Sequence, residues 1–559
     1  MNKKIAMCQM MPEVGNITGN TEKIKSLILK HKDCDFIIFP ELAVSGYNCG
    51  DLFEKKAFIE ECEYAIVNII DYMYEQKIFT PVVIIGCPHK KKNDLYNAAY
   101  IINNGNIASI YHKQLLANDY HHEDRKYFKP GNASTVYYLG GIKFGILICE
   151  DGWKTYGRDI ANEYYEDGAE IIFSINYSYF TYNKIEARDE IFKRDHLPMV
   201  YVNAVGVGDI SKNFIAYDGH SFIYNPYSVG VVGRYEYMPM FKETSDEVIY
   251  ETRSRNLQSH FTSFIGYNKY LLIFKAITFS IENIFREIGL TKAQVHISGG
   301  VDSAVVAVLA VKALGAENCV FITQPSKNNG SETLANAEHI ANKLGVPLQY
   351  ESISEYVALY KKENPEASKS QIASFEATVR KSLGISHTHQ YKSGILSCGN
   401  HTENALGWNS FGDIGNYCGI LQPIGDLTKT EIFELCDFIN TNMQDEVIPA
   451  KLFDGSMKPA AELEDSSEDP FDYKLMSYIC EKMVRDGMSA LEIKHDMLID
   501  SRFSNYPNSV LSDNINNAFK RFRISSYKRA QGSPVLILSN RSFGFSSRDT
   551  IINHYRECV

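Results

Sequence analysis

No run of this sequence approaches the ~18 uncharged apolar residues of a membrane-spanning helix. Its first residues, MNKKIAMCQM, pass from two lysines into a short strand-like segment and soon meet an acid at Glu13. There is no apolar h-region, so no signal peptide is expected. None of the 12 cysteines forms a CxxC pair. That argues against a structural zinc site and against a disulfide framework, and it predicts reduced thiols, with Cys34, Cys87 and Cys319 in apolar company. Net positive charge is missing too: 57 basic and 68 acidic side chains leave −11. Neither nucleic acid nor an anionic membrane is then an expected partner, although a local basic pocket for phosphates remains compatible. Internal repeats are absent. Together these absences point to a cytoplasmic protein.

What is present is ordinary for a globular chain, 45% hydrophobic and 22% charged. At 559 residues it exceeds one compact core and holds material for roughly three to four domains. Up to about residue 262, short apolar runs end abruptly in polar residues. FIIF (36–39) stops at Pro40-Glu41, VVIIG (82–86) at Cys87-Pro88, NIASIY (106–111) at His112-Lys113, and KFGILI (143–148) at Cys149-Glu150-Asp151. IIFSIN (171–176) and MVYVNAVG (199–206) follow the same habit. Such runs predict strands buried on both faces. The amphipathic stretches 20–32, 55–77 and 184–196 predict helices between them, and KKKND (90–94) predicts a solvated hairpin turn. A layered α/β domain with polar groups gathered at strand ends results. From 263 onward a helical segment (267–290) leads into QVHI (294–297), a glycine loop, the helix 304–315, the strand CVFIT (319–323) and the helix 331–345. That alternation predicts a second, doubly wound α/β unit. Residues 450–473, acidic and rich in Ser and Pro, predict a mobile loop.

Three strand-end residues of the first part, Glu41, Lys113 and Cys149, carry complementary chemistry. A thiolate attacks an amide carbonyl when a base takes its proton and a cation offsets the oxyanion. A carboxylate can be that base and later the acid for the leaving amine, and a lysine can lower the thiol pKa. Spacing alone does not bring the three together. Their contexts, however, FPELAVSGY (39–47), YHKQLL (111–116) and CEDGW (149–153), resemble in order the three motifs of the nitrilase superfamily of carbon–nitrogen hydrolases. That resemblance spans nearly all of 1–250 and implies an α-β-β-α sandwich. It makes Cys149 the nucleophile, Glu41 the general base and acid, and Lys113 the oxyanion stabiliser. It also implies that Glu123, in HHEDRKYF, orients the lysine and that Tyr47 lines a glutamine pocket. YDGHSFIYN (217–225) resembles the family's late Asp-Gly-x-Ser strand. INYSYF (175–180) departs from the family's usual loop; Ser178 and Arg188 are the candidates for glutamine binding there.

In the second part, HISGGVDSAV (296–305) reads as strand, glycine loop and helix start. Gly299 and Gly300 let backbone N–H groups approach phosphate, and the helix N-terminus adds a favourable dipole. Ser298 and Ser303 add hydroxyls. Asp302 would repel phosphate unless Mg²⁺ stood between them. The loop is neither Walker A nor GxGxxG; it resembles the pyrophosphate loop of the ATP-pyrophosphatase family, whose members adenylate a carbonyl oxygen. CGNHTENALGWNSFGD (398–413) and PIGDLTKTEIF (423–433) narrow the match to the NAD⁺ synthetases. That resemblance implies Glu403 as a Mg²⁺ ligand beside Asp302, Asp413 near the dinucleotide, Lys429 at phosphate, Arg380 on an ATP-side helix, and KPAAEL (458–463) in a closing loop. His401 stands where relatives have lysine, which implies a weaker phosphate contact.

Motif sets and their order are similar to the glutamine-dependent NAD⁺ synthetase family over essentially the whole chain. Residues 1–262 are then expected to form the glutaminase domain and 263–559 the synthetase domain. The implied activity is that of a carbon–nitrogen ligase that takes L-glutamine, deamido-NAD⁺ and ATP, with Mg²⁺, in a homo-oligomer. Against it stand another ATP-pyrophosphatase amidotransferase, which the 398–433 stretch disfavours, and an inactive nitrilase-like scaffold, which an intact Glu41, Lys113 and Cys149 disfavour. A non-enzymatic assembly protein would leave Asp302 and Glu403 without purpose.

Overall fold

The computed structural model of the protein describes residues 2–118, 121–193, 195–210, 212–226, 234–263, 268–327, 330–409, 414–457, 471–543 and 558–559. The chain forms two compact units, Met1–Ile210 with Ile215–Tyr267, and Ser211–Phe214 with Asn268–Val559.

The first unit is built on two seven-stranded sheets. At the centre of one, the strands Asn2–Gln9, Phe36–Ile38 and Val82–Lys91 run parallel. In the other, Ile142–Ile148, Ile171–Asn176 and Met199–Asn203 do the same. Because side chains alternate along a strand, each apolar run serves two cores. Ile5, Met7, Phe36, Ile38, Val82 and Ile84 meet Ile146, Ile148, Phe173 and Ile175 between the sheets. The intervening Ala6, Cys8, Ile37, Val83 and Ile85 pack on helices Ile17–Lys30 and Lys56–Glu75. On the far side, Leu147, Ile172 and Tyr201 pack with Ile160, Tyr164 and Phe192 of two further helices. Helix, sheet, sheet and helix form four layers, which is the expected α-β-β-α sandwich and explains why the runs lack polar alternation. The hairpin expected at 90–94 joins Val82–Lys91 to Asp94–Asn103, with Lys92 in the left-handed region.

The second unit holds a four-stranded sheet ordered Leu348–Tyr350, Cys319–Thr323, Lys292–His296 and Ser393–Ile395. Every neighbouring pair is parallel, as a doubly wound unit requires. The helix Val301–Leu314 is so apolar because its residues 303–310 are all buried. A separate helical core gathers Ala405, Leu406, Ile479, Ile493 and Ile515. Of the loop expected over 450–473, residues 458–470, KPAAEL among them, lie outside the described residues; Ala450–Leu452 makes one tight 3₁₀ turn. All 12 cysteines are free thiols. Among the described residues no helix is long and apolar enough to cross a membrane.

One glycine lets the fold place its strand-end carboxylate. A Cβ on Gly86 would lie 2.3 Å from Leu42 N, 2.4 Å from Pro40 O and 2.6 Å from the Glu41 carbonyl carbon. All three are backbone atoms that cannot swing aside. Gly86→Ala is expected to cost about 1–3 kcal/mol of stability, seen as a lower urea midpoint for the first unit; an unchanged midpoint would show that the Glu41 segment does not depend on this approach.

Candidate active sites

In the first unit the strand Phe36–Ile38 ends where Pro40 turns the chain, and Glu41 points inward with no exposure. Its Oε1 accepts from Lys113 Nζ at 2.7 Å and from Asn97 Nδ2 at 2.7 Å, and its Oε2 from the Tyr177 N–H at 2.9 Å. Lys113, also buried, makes a second ion pair with Asp124 Oδ2 at 2.6 Å. Burial alone would lower the lysine pKa, but Asp124 and Glu41 together hold it well above its usual value. The expectation that Glu123 orients the lysine is therefore corrected. The carboxylate is that of Asp124, the first residue of the short helix Asp124–Tyr127, which also accepts from Tyr47 Oη at 2.5 Å and the Ala117 N–H at 3.3 Å. Glu123 lies one residue outside that helix, partly exposed.

Cys149 follows directly on the strand Ile142–Ile148 and opens a single 3₁₀ turn. Its φ of 45° lies in the left-handed region, a costly conformation for a residue with a Cβ and a frequent mark of a functional elbow. Asp151 locks this elbow to the lysine's segment. Its carboxylate accepts from the N–H groups of Ile148 (3.0 Å), Gln114 (3.0 Å) and Leu115 (2.7 Å) and from Tyr111 Oη (2.9 Å). Burial, then the Glu41 carboxylate, push the Cys149 thiol up, while Lys113 and Lys184 pull it down. The net rise leaves a protonated thiol at rest, which needs a base.

Of the residues read as glutamine contacts, Tyr47 is buried against Tyr177, ring centroids 5.5 Å apart, and its hydroxyl is committed to Asp124. Ser178 is buried, and its N–H donates to Asn203 Oδ1 at 2.8 Å. Arg188 is buried; its Nη2 lies 3.4 Å from both Asp218 oxygens, and its Nε and Nη1 have no partner among the described residues. Sequence reasoning passed over Lys184, one turn before Arg188, whose Nζ lies 3.3 Å from the centre of the Tyr179 ring. It also missed Asn97 and Tyr177, which no motif marks because each comes from a different strand or loop; Asp218 stands in the late Asp-Gly-x-Ser strand, where it was given no role.

In the second unit Gly299 is forced by its surroundings: φ is +88° and a Cβ would fall 1.9 Å from Thr333 O. At Gly300, among the described residues, only the Ser298 hydroxyl would be near a Cβ, at 3.3 Å, which leaves room there for a ligand of the loop. Ser298 and Ser303 brace the turn, Ser298 Oγ accepting from the Gly300 N–H at 3.2 Å and Ser303 Oγ donating to Gly300 O at 3.0 Å. Asp302 and Glu403 converge on one cation, the ammonium of buried Lys429, at 2.5 and 3.0 Å. Burial opposes its charge, yet the two carboxylates hold the lysine pKa above normal. Asn400 Nδ2 donates to Asp302 Oδ1 at 3.0 Å, and Arg380 Nε donates to Gln324 O at 3.1 Å. Asp413 lies outside the described residues. His401, read as a weaker phosphate contact, is fully buried, with Nδ1 3.6 Å from Asp426 Oδ1.

Residues 4–236 match the family model for carbon–nitrogen hydrolase, and residues 273–529 that for NAD synthase. The chain is 28% identical to a glutamine-dependent NAD(+) synthetase of Aquifex aeolicus, over 99% of both chains. With the enzyme of the same description from Synechocystis sp. it shares 27% identity over 97% of both. Two solved structures share the fold. One, a glutamine-dependent NAD⁺ synthetase from Acinetobacter baumannii in complex with ADP, has TM-score 0.74 at 23% identity over 99% of both chains. The other, from Cytophaga hutchinsonii, has TM-score 0.78 at 17% identity over 99% of this chain and 98% of that one.

Removing Asp124's charge separates the two acids that stand side by side in sequence. Asp124→Asn should slow amide hydrolysis about 100-fold or more, and Glu123→Gln less than about threefold. Ammonia release from the two variants decides it; the reverse order would restore Glu123 to the site.

Proposed function

This chain joins a carbon–nitrogen hydrolase domain to an NAD synthase domain, and we propose that it is a glutamine-dependent NAD⁺ synthetase. Residues 1–262 would hydrolyse glutamine, and residues 263–559 would use ATP to amidate deamido-NAD⁺. The observation that carries the reading is that one chain holds both a buried Glu41–Lys113–Asp124 set at the Cys149 elbow and a glycine loop beside converging Asp302 and Glu403.

In the first half-reaction, Cys149 Sγ attacks the glutamine carboxamide carbon while Glu41 takes the thiol proton. Lys113, kept charged by its two carboxylates, offsets the oxyanion of the tetrahedral adduct. Collapse breaks the C–N bond, and Glu41 returns the proton to the departing ammonia. A water, deprotonated by Glu41, then cleaves the thioester to glutamate. Lys184 and Arg188 offer cations for the α-carboxylate of glutamine, Asp218 an anion for its ammonium, and Ser178 a hydroxyl; Tyr47 would wall the pocket.

In the second, the nicotinate carboxylate oxygen attacks the α-phosphorus of ATP and pyrophosphate leaves. Ammonia then attacks the acyl adenylate and AMP departs, a far better leaving group than a carboxylate oxygen. Ser298, Gly299, Gly300 and Ser303 would cradle the phosphates, with Arg380 on the ATP side and Asp413 toward the dinucleotide. Asp302 and Glu403 would hold Mg²⁺, which when bound offsets phosphate charge. The fit rests on two carboxylates already sharing one cation, offered through the hard oxygen donors Mg²⁺ prefers. Lys429 would then be available to phosphate. The reading takes the enzyme as cytoplasmic and homo-oligomeric.

With deamido-NAD⁺ and Mg-ATP, Cys149→Ala should lose glutamine-driven synthesis of NAD⁺ by about 10³-fold and keep the ammonium-driven reaction. Glutamine-driven turnover in that variant would refute the nucleophile. Asp302→Ala should abolish synthesis from both nitrogen donors yet retain ammonia release from glutamine; retained synthesis would refute its role at the nucleotide.

A further inference from the structure

A row of polar side chains that neither half-reaction uses crosses the parallel sheet of the second unit. Ser393 Oγ donates to Gln294 Oε1 at 3.1 Å. Gln294 Nε2 donates to Gly384 O at 2.9 Å and faces His296 Nε2 at 2.8 Å. His296 Nδ1 lies 3.0 Å from Gln324 Oε1. Gln324 Nε2 donates to Glu351 Oε2 at 2.9 Å, which also lies 2.9 Å from His387 Nε2.

The chemistry of the end groups sets the direction of the whole row. The Glu351 carboxylate only accepts, so the Gln324 amide nitrogen faces it and the amide oxygen faces His296. His296 therefore donates from Nδ1, and its Nε2 lone pair accepts from Gln294. A proton on Nε2 would set donor against donor, so the ring must be neutral. Burial pushes its pKa down to about 4, which agrees.

The position of this ring matters more than its charge. His296 ends the strand Lys292–His296, two residues before Ser298. Gln324 directly follows the strand Cys319–Thr323. Both strands end at the carboxyl edge, where open α/β sheets take their ligands. Gly384 lies inside the helix Lys369–Tyr391, one turn after Arg380 and so on the same face. A Cβ at Gly384 would come 2.2 Å from Ile414 Cδ1 and 2.9 Å from His296 Nε2, so a helix-weakening residue stands where both the isoleucine and the ring must fit. Arg380 in turn grips the main-chain oxygen of Gln324. One imidazole thus touches the residue that follows the second strand and the helix that carries Arg380, while sharing a strand with the glycine loop.

We propose that His296 is a positioning residue for ATP: by bonding Gln324 and seating against Gly384, it fixes Arg380 relative to the Ser298–Ser303 loop. The proposal rests on reading the second unit as an ATP-dependent amidating domain.

The test uses the full chain with an ammonium salt as nitrogen donor, which bypasses the glutaminase half. His296→Leu, which cannot bond Gln324, should raise the KM for ATP about tenfold while kcat and the KM for deamido-NAD⁺ change less than about threefold. His296→Asn places an amide N–H near the Nδ1–H position and should bring the KM for ATP back to within about threefold of wild type. Gln324→Met cuts the same link from the other side; it should match the leucine variant and replaces it if that variant does not fold. An unchanged KM for ATP in the leucine and methionine variants would overturn the proposal. So would an asparagine variant as impaired as the leucine one. A wild-type protein that makes no NAD⁺ from ammonium would instead overturn the reading of the domain, and this inference with it.

Discussion

Lys113 has almost no contact with water, and an ammonium in such a place survives only with anions against it. Glu41 and Asp124 stand 2.7 and 2.6 Å away and supply that balance. Removing one partner from a buried ion pair typically costs ~3–5 kcal/mol, because the other charge is left uncompensated. The first site is therefore a constraint before it is a catalyst. Two carboxylates must reach one ammonium, and the strand ends, the Gly86 approach and the Asp151 bridge to the Cys149 elbow are what hold them there. On the proposed function the same balance would serve the chemistry: a cation that stays charged where an oxyanion would form, and a carboxylate, oriented by Asn97 and Tyr177, placed to take the thiol proton.

The second unit uses the same elements with a different outcome. Lys429 is also buried between two carboxylates, but Asp302 and Glu403 keep side-chain exposures of 19% and 17%, whereas Glu41 and Asp124 have almost none. A closed set is suited to a permanent role. A partly open one, beside the glycine loop, would on the proposed function suit exchanging one cation for another when a phosphate ligand arrives.

Much of this could be read from the chain alone. Apolar runs without alternation predicted doubly buried strands, and those strands build the sandwich, except that Asn106–His112 lies at a sheet edge and is largely exposed. Cys149, Glu41 and Lys113 were visible because each ends such a run, and the glycine loop because two glycines among Ser298, Asp302 and Ser303 suit phosphate; the Thr333 carbonyl that forces Gly299 shows only in the structure. The lysine's second partner was placed one residue early, at Glu123. Two acids adjacent in an irregular loop differ only in which way the backbone turns them, and no periodicity records that. Asn97, Tyr177 and Lys184 had no motif because the fold, not spacing, brings them in. His401, read only as a weaker phosphate contact, is fully buried beside Asp426, a long-range consequence of packing that no local pattern shows.

The central claim is that nitrogen freed from glutamine in the first unit becomes the amide made in the second. Isotope tracing tests it most directly: glutamine labelled with ¹⁵N in its side-chain amide is supplied with deamido-NAD⁺ and Mg-ATP, without added ammonium, and the product is weighed by mass spectrometry. The account predicts NAD⁺ one mass unit heavier, its carboxamide nitrogen drawn from glutamine. Unlabelled NAD⁺, or labelled ammonia released with no NAD⁺ formed, would contradict it.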